Sequence, residues 1–310
     1  MTAWRFAFVL GAAAAALVGS FSGARAQDFD AVEISTTPVA PGLYMMVGRG
    51  GNLAVSTGED GVFLVDDQYA PLTGKIRAAI ATVSDAPIRF VFNTHWHGDH
   101  TGGNENLGRA GALIFAHDNV RKRLSAEQFM EALDRPVPRS PEAALPVVTF
   151  TDTVTFHLNG DEVHAFHLPP AHTDGDALVH FRRANVIHMG DIYFSSGFPF
   201  VDVSSGGSVE GVIAAVDRVL AMADANTKLI PGHGPLSNRV ELEKYRGMLV
   251  AIRDRIRSAL AGGQTLDQVL AARPTREFDQ VWGKGFIDPE RFVRIVYRSL
   301  ADERRDAGTR

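Results

Sequence analysis

Three histidines and an aspartate fall within six residues of the stretch Asn93-Thr94-His95-Trp96-His97-Gly98-Asp99-His100-Thr101-Gly102-Gly103-Asn104. Imidazole nitrogens and carboxylate oxygens are the donors that hold zinc, at about 2.0–2.2 Å. His95 and His97 project the same way from an extended or looping segment. Asp99 and His100 follow after Gly98 has bent the chain, an arrangement that suits two neighbouring ions better than one. The apolar run Ile88 to Phe92 leads directly into the stretch and has the length and composition of a buried parallel strand. Gly102 and Gly103 let backbone pass close by and a short helix begin. The plainer reading is a polar loop whose histidines only hydrogen-bond, and four donors packed together at a strand end argue against it.

Three more donors stand at the ends of expected strands. His172 lies in Pro169-Pro170-Ala171-His172-Thr173-Asp174-Gly175-Asp176, Asp191 follows Val186 to Met189, and His233 sits in Pro231-Gly232-His233-Gly234-Pro235. Strand ends on one sheet edge are where sites collect in layered α/β folds. Taken singly, each of the three fits an ordinary loop residue; the repetition carries more weight. His117, His157, His164, His167, His180 and His188 fall in or beside strands and read as structural or solvated, with His117 starting a helix. Asp66-Asp67 reads either as a paired-carboxylate site or as a strand-end pair capping the following loop and helix.

The elements that must position these groups follow from periodicity and turn residues. Strands are expected at Leu43 to Val47, Leu53 to Ser56, Val62 to Val65, Ile88 to Phe92 and Ala112 to Ala116. Further strands are expected at Val147 to Phe150, Val154 to Leu158, Val163 to Leu168, Ala177 to Phe181, Val186 to Met189 and Leu229-Ile230. Helices are expected over Pro71 to Thr82, in turns from His117 through Leu133, and over Ser208 to Ala223, Val240 to Ala261, Thr265 to Ala272 and Pro289 to Asp302. Arg135 to Pro146 is proline-rich and irregular, a surface loop near the mouth of the site. Mixed sheets with helices outside make this an α/β layered protein.

The His-x-His-x-Asp-His run followed by Thr-Gly-Gly, with His172, Asp191 and His233 arriving in order, resembles the metallo-β-lactamase superfamily from about Tyr44 to about Pro235. The resemblance implies an αββα sandwich of two mixed sheets, with residues 27–310 forming one domain and helices 240–303 closing it. It implies one zinc held by His95, His97 and His172, a second held by Asp99, His100 and His233, and Asp191 bridging the two. Such a pair supplies hydroxide at neutral pH, and Asp99 would orient that nucleophile as the catalytic residue. Thr94, Thr101, Thr173 and Asp176 are the candidates for fixing the imidazole tautomers.

Substrate class is set by the site, not by the fold. In the β-lactamases of the superfamily the position of Asp191 holds Cys or Ser. A carboxylate there resembles the glyoxalase-II-type thioesterases and the lactonases, and no Lys follows shortly after Asp191 to receive a β-lactam carboxylate. The aromatic segment containing Tyr193, Phe194, Ser196, Phe198 and Phe200 reads as an apolar pocket wall or as a small satellite core. The expectation is a secreted dinuclear zinc hydrolase that opens an amide or ester bond of a small molecule, β-lactam or otherwise. An iron-bearing oxidoreductase on the same fold and a non-catalytic accessory protein are the alternatives.

The 310-residue chain has a net charge of -5 and no basic stripe, which argues against a nucleic-acid partner. It has no cysteine, so disulfides, thiol nucleophiles and thiolate ligands are excluded. Arg5, the apolar run Phe6 to Val18 and Ala24-Arg25-Ala26 before Gln27 read as a secretory signal spanning 1–26. The expected location is therefore periplasmic or secreted, with no stable membrane insertion after cleavage.

Overall fold

The computed structural model describes residue 1 and residues 28–308, and the expected signal segment, Met1 apart, lies outside the described residues. The chain opens with β1 (Ser35–Ala40), β2 (Leu43–Val47), β3 (Leu53–Ser56) and β4 (Val62–Val65). Helix α1 (Thr73–Ala81) leads to β5 (Ile88–Asn93), then to the short helices α2 (Gly98–Thr101) and α3 (Asn104–Arg109). Next come β6 (Leu113–His117), α4 (Asp118–Leu124), the hairpin of β7 (Gln128–Met130) and β8 (Arg135–Val137), and β9 (Val148–Phe150). The second half begins with β10 (Thr153–Leu158), β11 (Asp161–His167), β12 (Ala177–Phe181) and β13 (Val186–His188). It continues through α5 (Val209–Met222), β14 (Lys228–Ile230), β15 (Ser237–Asn238) and α6 (Arg239–Ala261). The last elements are α7 (Leu266–Ala272), α8 (Asp279–Trp282) and α9 (Pro289–Gly308).

The strands form two mixed sheets, one in the order β1-β2-β3-β4-β5-β6-β9 and one in the order β10-β11-β12-β13-β14-β15. Strand alternation explains how they face each other. Phe63, Val65 and Phe92 point inward to meet Val163, Ala165, Val179 and Phe181 of the other sheet. Their neighbours Val62, Leu64 and Val91 point outward and pack on Leu72, Ile76 and Ile80 around α1. The outer face of the second sheet, through Phe166, Leu178, Ile187 and Leu229, is covered by α5, α6 and α9. The layers are therefore α, β, β and α. Phe63 and Phe156 cross the seam with ring centroids 5.0 Å apart, and full burial of one such ring is worth about 1.5–3 kcal/mol. The long helices begin at side-chain caps: Ser208 accepts from the Gly211 amide, Asn238 from Glu241, and Thr265 forms a capping box with Gln268.

Three local readings of the sequence are corrected. The helical turns expected through Leu133 are interrupted: α4 ends at Leu124, and residues 128–137 form the β7–β8 hairpin with Met130 opposite Arg135, its tip a 3-10 turn at Glu131–Leu133. Exposed Phe129 beside buried Met130 gives the two-residue alternation of a strand, and Asp134 takes the left-handed turn position at φ 47°. The same hairpin claims the first residues of the stretch expected to be irregular. Helix α9 continues past Asp302 to Gly308. Strand β1 was hidden by its Thr-rich sequence and Pro38, which an edge strand tolerates. No helix among the described residues is long and apolar enough to cross a membrane.

Candidate metal centre

The strand ends of both sheets converge on one buried cluster. From the first sheet, β5 ends at Asn93 and delivers His95 and His97, while α2 delivers Asp99 and His100. From the second, the β11–β12 loop delivers His172, the turn after β13 delivers Asp191, and the turn after β14 delivers His233. His95, His97, His172 and Asp191 bring their donor atoms together, as do Asp99, His100 and His233. Asp191 faces both groups. Its Oδ2 lies 3.9 Å from His95 Nε2 and 3.7 Å from His172 Nε2, and its Oδ1 lies 3.0 Å from His100 Nε2 and 3.4 Å from His233 Nε2.

Four of these imidazoles have their other nitrogen tied to the protein, which selects the tautomer. Thr94 Oγ1 donates to Asp66 Oδ2 at 2.8 Å, so it accepts from His95 Nδ1–H at 3.0 Å. His97 Nε2–H donates to Asp202 Oδ2 at 3.1 Å, His100 Nδ1–H to Asp66 Oδ2 at 2.7 Å, and His172 Nδ1–H to the Phe200 carbonyl at 2.7 Å. When neutral, each ring is left with a lone pair facing the cluster centre. His97 Nδ1 and His172 Nε2 face one another at 2.9 Å, two lone pairs that need a cation between them. His95 Nε2 and Asp191 Oδ1 are buried with no hydrogen-bond partner, which costs free energy unless an ion or proton satisfies them. Nitrogen and oxygen donors alone suit zinc, iron or manganese. The residues fit a pair of metal ions.

Electrostatics within the chain divide the two halves. Burial pushes His95 and His172 below the ordinary imidazole range, and His97 as well despite Asp202. Burial also opposes charge on His100 and His233, but Asp191, Asp66 and Asp99 outweigh it for His100, and Asp191 with Asp99 pushes His233 up to about 9. Despite burial, His100 and His233 hold the carboxyls of Asp99 and Asp191 below their usual range. The metal-free cluster is thus held by protons where a second ion would sit.

Glycine makes the close approach feasible at two points. A Cβ on Gly51 would lie 2.1 Å from the His100 ring, and one on Gly232 would lie 2.1 Å from Asp191 Oδ1. Asn52 grips the His233 turn from both sides, donating to the Pro231 carbonyl at 2.9 Å and the Gly234 carbonyl at 2.8 Å. His188 is structural: its Nε2 bonds the Asn52 carbonyl at 3.0 Å and its Nδ1 accepts from the Gly190 amide at 3.2 Å. His117 caps α4 through the Asn119 amide, as a helix-start residue does.

A cavity of about 490 Å³ opens over the cluster, with His97, Asp99, Asp191 and His233 at its floor. Phe194, Ser196 and Phe200 line it. Tyr193 and Phe198 from the same segment do not. Tyr193 is fully buried with its hydroxyl bonded to Ser237, and Phe198 stacks on Phe292 with centroids 4.7 Å apart. The segment bends at Ser195–Gly197, where Gly197 takes φ 96°, so it serves both as pocket wall and as core.

Of the four candidates for fixing tautomers, only Thr94 touches a ligand ring. Thr101 bonds the Trp96 and His97 carbonyls, and Asp176 braces the backbone of His172 and Thr173. Asp66, Asp202 and Asn52 are the supporting residues the sequence reading did not assign. Asp66 sits at φ 60°, a conformation a non-glycine residue adopts only when its surroundings impose it. Asp202 carried one signal, the Asp-x-Ser-Ser pattern of a cap, and it does cap the 3-10 turn Val203–Ser205.

The sequence model described as the metallo-β-lactamase superfamily matches residues 47–248. A hydroxyacylglutathione hydrolase of Nitrosococcus oceani is 28% identical over 193 residues, covering 62% of this chain and 65% of that protein. The chain thus matches a little under two thirds of that relative's length. A metallo-beta-lactamase type 2 of Bacteroides fragilis is 25% identical over 151 residues, covering 48% of this chain and 54% of that protein. Among solved structures, the sec-alkylsulfatase Pisa1 from Pseudomonas sp. superposes with a TM-score of 0.65 at 19% identity, over 86% of this chain and 50% of that one. The likeness to that structure shows the fold. With the family match over most of the chain and hydrolases among its relatives, the chain belongs to the metallo-β-lactamase superfamily.

Proposed function

We propose that this chain is an exported dinuclear zinc hydrolase that cleaves an ester or thioester bond of a small molecule. The observation that carries the reading is Asp191, one carboxylate oxygen of which faces each donor group across 3.0–3.9 Å. His95, His97 and His172 would hold one ion and Asp99, His100 and His233 the other, with Asp191 shared. When bound, such a pair supplies a water of lowered pKa and polarises a carbonyl oxygen. The chain's own residues do the rest. Asp99, on the cavity floor and held ionised, orients the attacking water by accepting its hydrogen bond. Thr94, Asp66, Asp202 and the Phe200 carbonyl keep the rings turned lone pair inward. Phe194 stacks on His233 with centroids 5.0 Å apart, and Phe200 on His97 at 5.7 Å, steadying both rings against the cavity wall. A bridging carboxylate lowers the net positive charge of the centre, which suits a leaving group that departs without much help. The hydroxyacylglutathione hydrolase relatives favour the same side, as opposed to lactam opening. Export rests on the Arg5, Phe6 to Val18 and Ala24-Arg25-Ala26 pattern. The test is elemental analysis of purified protein together with turnover of chromogenic thioester, ester and lactam substrates. About two zinc ions per chain and turnover of ester or thioester over lactam are expected. Iron in place of zinc, or zinc-loaded protein inert on every substrate, would refute the proposal.

A further inference from the structure

The walls of the cavity are apolar, with Tyr69, Met130, Leu133, Val137, Phe200 and Phe286 among them, so the part of a substrate away from the reacting bond is apolar too. Two guanidinium groups break that pattern, Arg49 and Arg135, both lining the cavity. Many arginines elsewhere on this acidic chain find a carboxylate, as Arg109 meets Glu105, Arg123 meets Asp174, Arg253 meets Glu210 and Arg298 meets Glu131, while others do not; what sets Arg49 and Arg135 apart is that they line the cavity. No ion pair joins Arg49 or Arg135 to an acid among the described residues, and the acids lining the cavity, Asp99 and Asp191, belong to the cluster on its floor.

Both arginines stand on anchored backbone. The loop bearing Arg49 is pinned by the Gly51 amide, which donates to the Asp99 carbonyl at 3.0 Å, and by Gln68 Nε2, which donates to the Gly51 carbonyl at 2.7 Å. Arg135 opens β8 directly opposite Met130, and the hairpin is tied down by Glu131 through Arg298 and through the Ser204 hydroxyl. Each side chain is itself exposed. A fixed Cα with a solvated, unpaired guanidinium suits capture of an anionic group, which the planar fork binds through paired hydrogen bonds.

We infer that Arg49 and Arg135 form an anion subsite, and that the substrate is an apolar ester or thioester whose acyl chain ends in a carboxylate. The inference rests on the hydrolase reading above for the identity of the cleaved bond, though not for the subsite itself. The apolar walls hold the chain, the cluster holds the carbonyl, and the arginines hold the far end. A carboxylate at that end would meet two exposed guanidinium groups that no acid neutralises, an attraction a neutral end would not gain.

The experiment uses the full-length, zinc-loaded protein and two matched esters, 4-nitrophenyl hexanoate and the mono-4-nitrophenyl ester of adipic acid. Wild type should favour the carboxylate ester in kcat/KM by about tenfold, as charge-assisted pairing at a partly exposed site allows. R49Q and R135Q should each lose most of that preference, the carboxylate ester losing more in kcat/KM than the neutral ester does, with the loss in KM. Equal turnover of the two esters by wild type, or an equal loss of both in the variants, would overturn the inference. Binding is read separately by calorimetry with N-butyl adipamic acid and N-butyl hexanamide, which removes dependence on the reaction. Should neither ester be cleaved, the hydrolase reading fails, while tighter binding of the acid that is lost in R49Q and R135Q still supports the subsite. Acid binding that survives in both variants means the carboxylate is held by the metal ions, and the subsite is refuted.

Discussion

Replacing Asp202 by Ala should weaken one metal position and spare the other. Asp202 is fully buried, and its Oδ2 receives the His97 Nε2–H at 3.1 Å and the Ser205 hydroxyl at 2.6 Å. In the metal-free variant the His97 ring is free to turn or to move its proton. Binding would force Nδ1 toward the ion and Nε2–H into a space with no acceptor. A buried donor left unpaired costs about 1–3 kcal/mol, which at about 1.4 kcal/mol per decade is roughly 5- to 150-fold in affinity. Lost partners of metal-bound histidines typically cost about 10- to 100-fold, so the two routes agree. The assay is zinc titration against a chromogenic chelator, fitted to two sites. The Asp99–His100–His233 site should remain as in wild type or nearly so, and the His95–His97–His172 site should lose one to two decades. His233→Ala should give the mirror image, weakening the ion shared with Asp99 and His100. Equal loss at both sites in Asp202→Ala, with melting of the metal-free protein unchanged, would refute the assignment of Asp202 to His97.

Asp191→Ser should lower zinc affinity and cut ester or thioester kcat/KM under saturating zinc, while sparing or raising the ratio of lactam to ester hydrolysis; an equal loss on both substrates would confine Asp191 to metal retention. The metal-free protein should lose stability as pH rises from the unfolded histidine value of 6.5 through about 9, because His233 is charged in the folded state and stabilised there by Asp191 and Asp99. His233→Gln should flatten that slope in a series of thermal melts, and an unchanged slope would count against it. N-terminal sequencing of exported protein should begin at Gln27, and a start at Met1 would refute cleavage after Ala26.

Much of the site was legible because its donors crowd the ends of apolar strands. His95, His97, Asp99 and His100 need no tertiary information to be seen as a group, since six residues of chain hold them together. His172, Asp191 and His233 were legible by their turn-rich surroundings and by order along the chain. The supporting residues were not, because their role is purely spatial. Asp66 lies 34 positions from His100 and Asp202 lies 105 positions from His97. No periodicity reports such pairings. Asp66-Asp67 looked ambiguous for a physical reason: the structure splits the pair, giving Asp66 to His100 and Thr94 and giving Asp67 to the Gly103 amide. The hairpin at 128–137 escaped because it is short, and its alternation shows only once the cavity supplies an inside.

Each of the two donor groups draws on both sheets, so the cluster spans the seam between two layers that meet mainly through apolar contact. The phenylalanines in that seam therefore act as spacers that set the gap between the two halves of the coordination shell. Trimming Phe63 or Phe156, neither of them a donor, would let the layers settle closer or slide, and donor groups only a few ångströms apart have no slack to absorb it. The outer helices and the cavity rim carry no such burden. Sequence change can accumulate there and retune what the cavity admits, while the thickness of the sandwich stays bound to the chemistry at its edge.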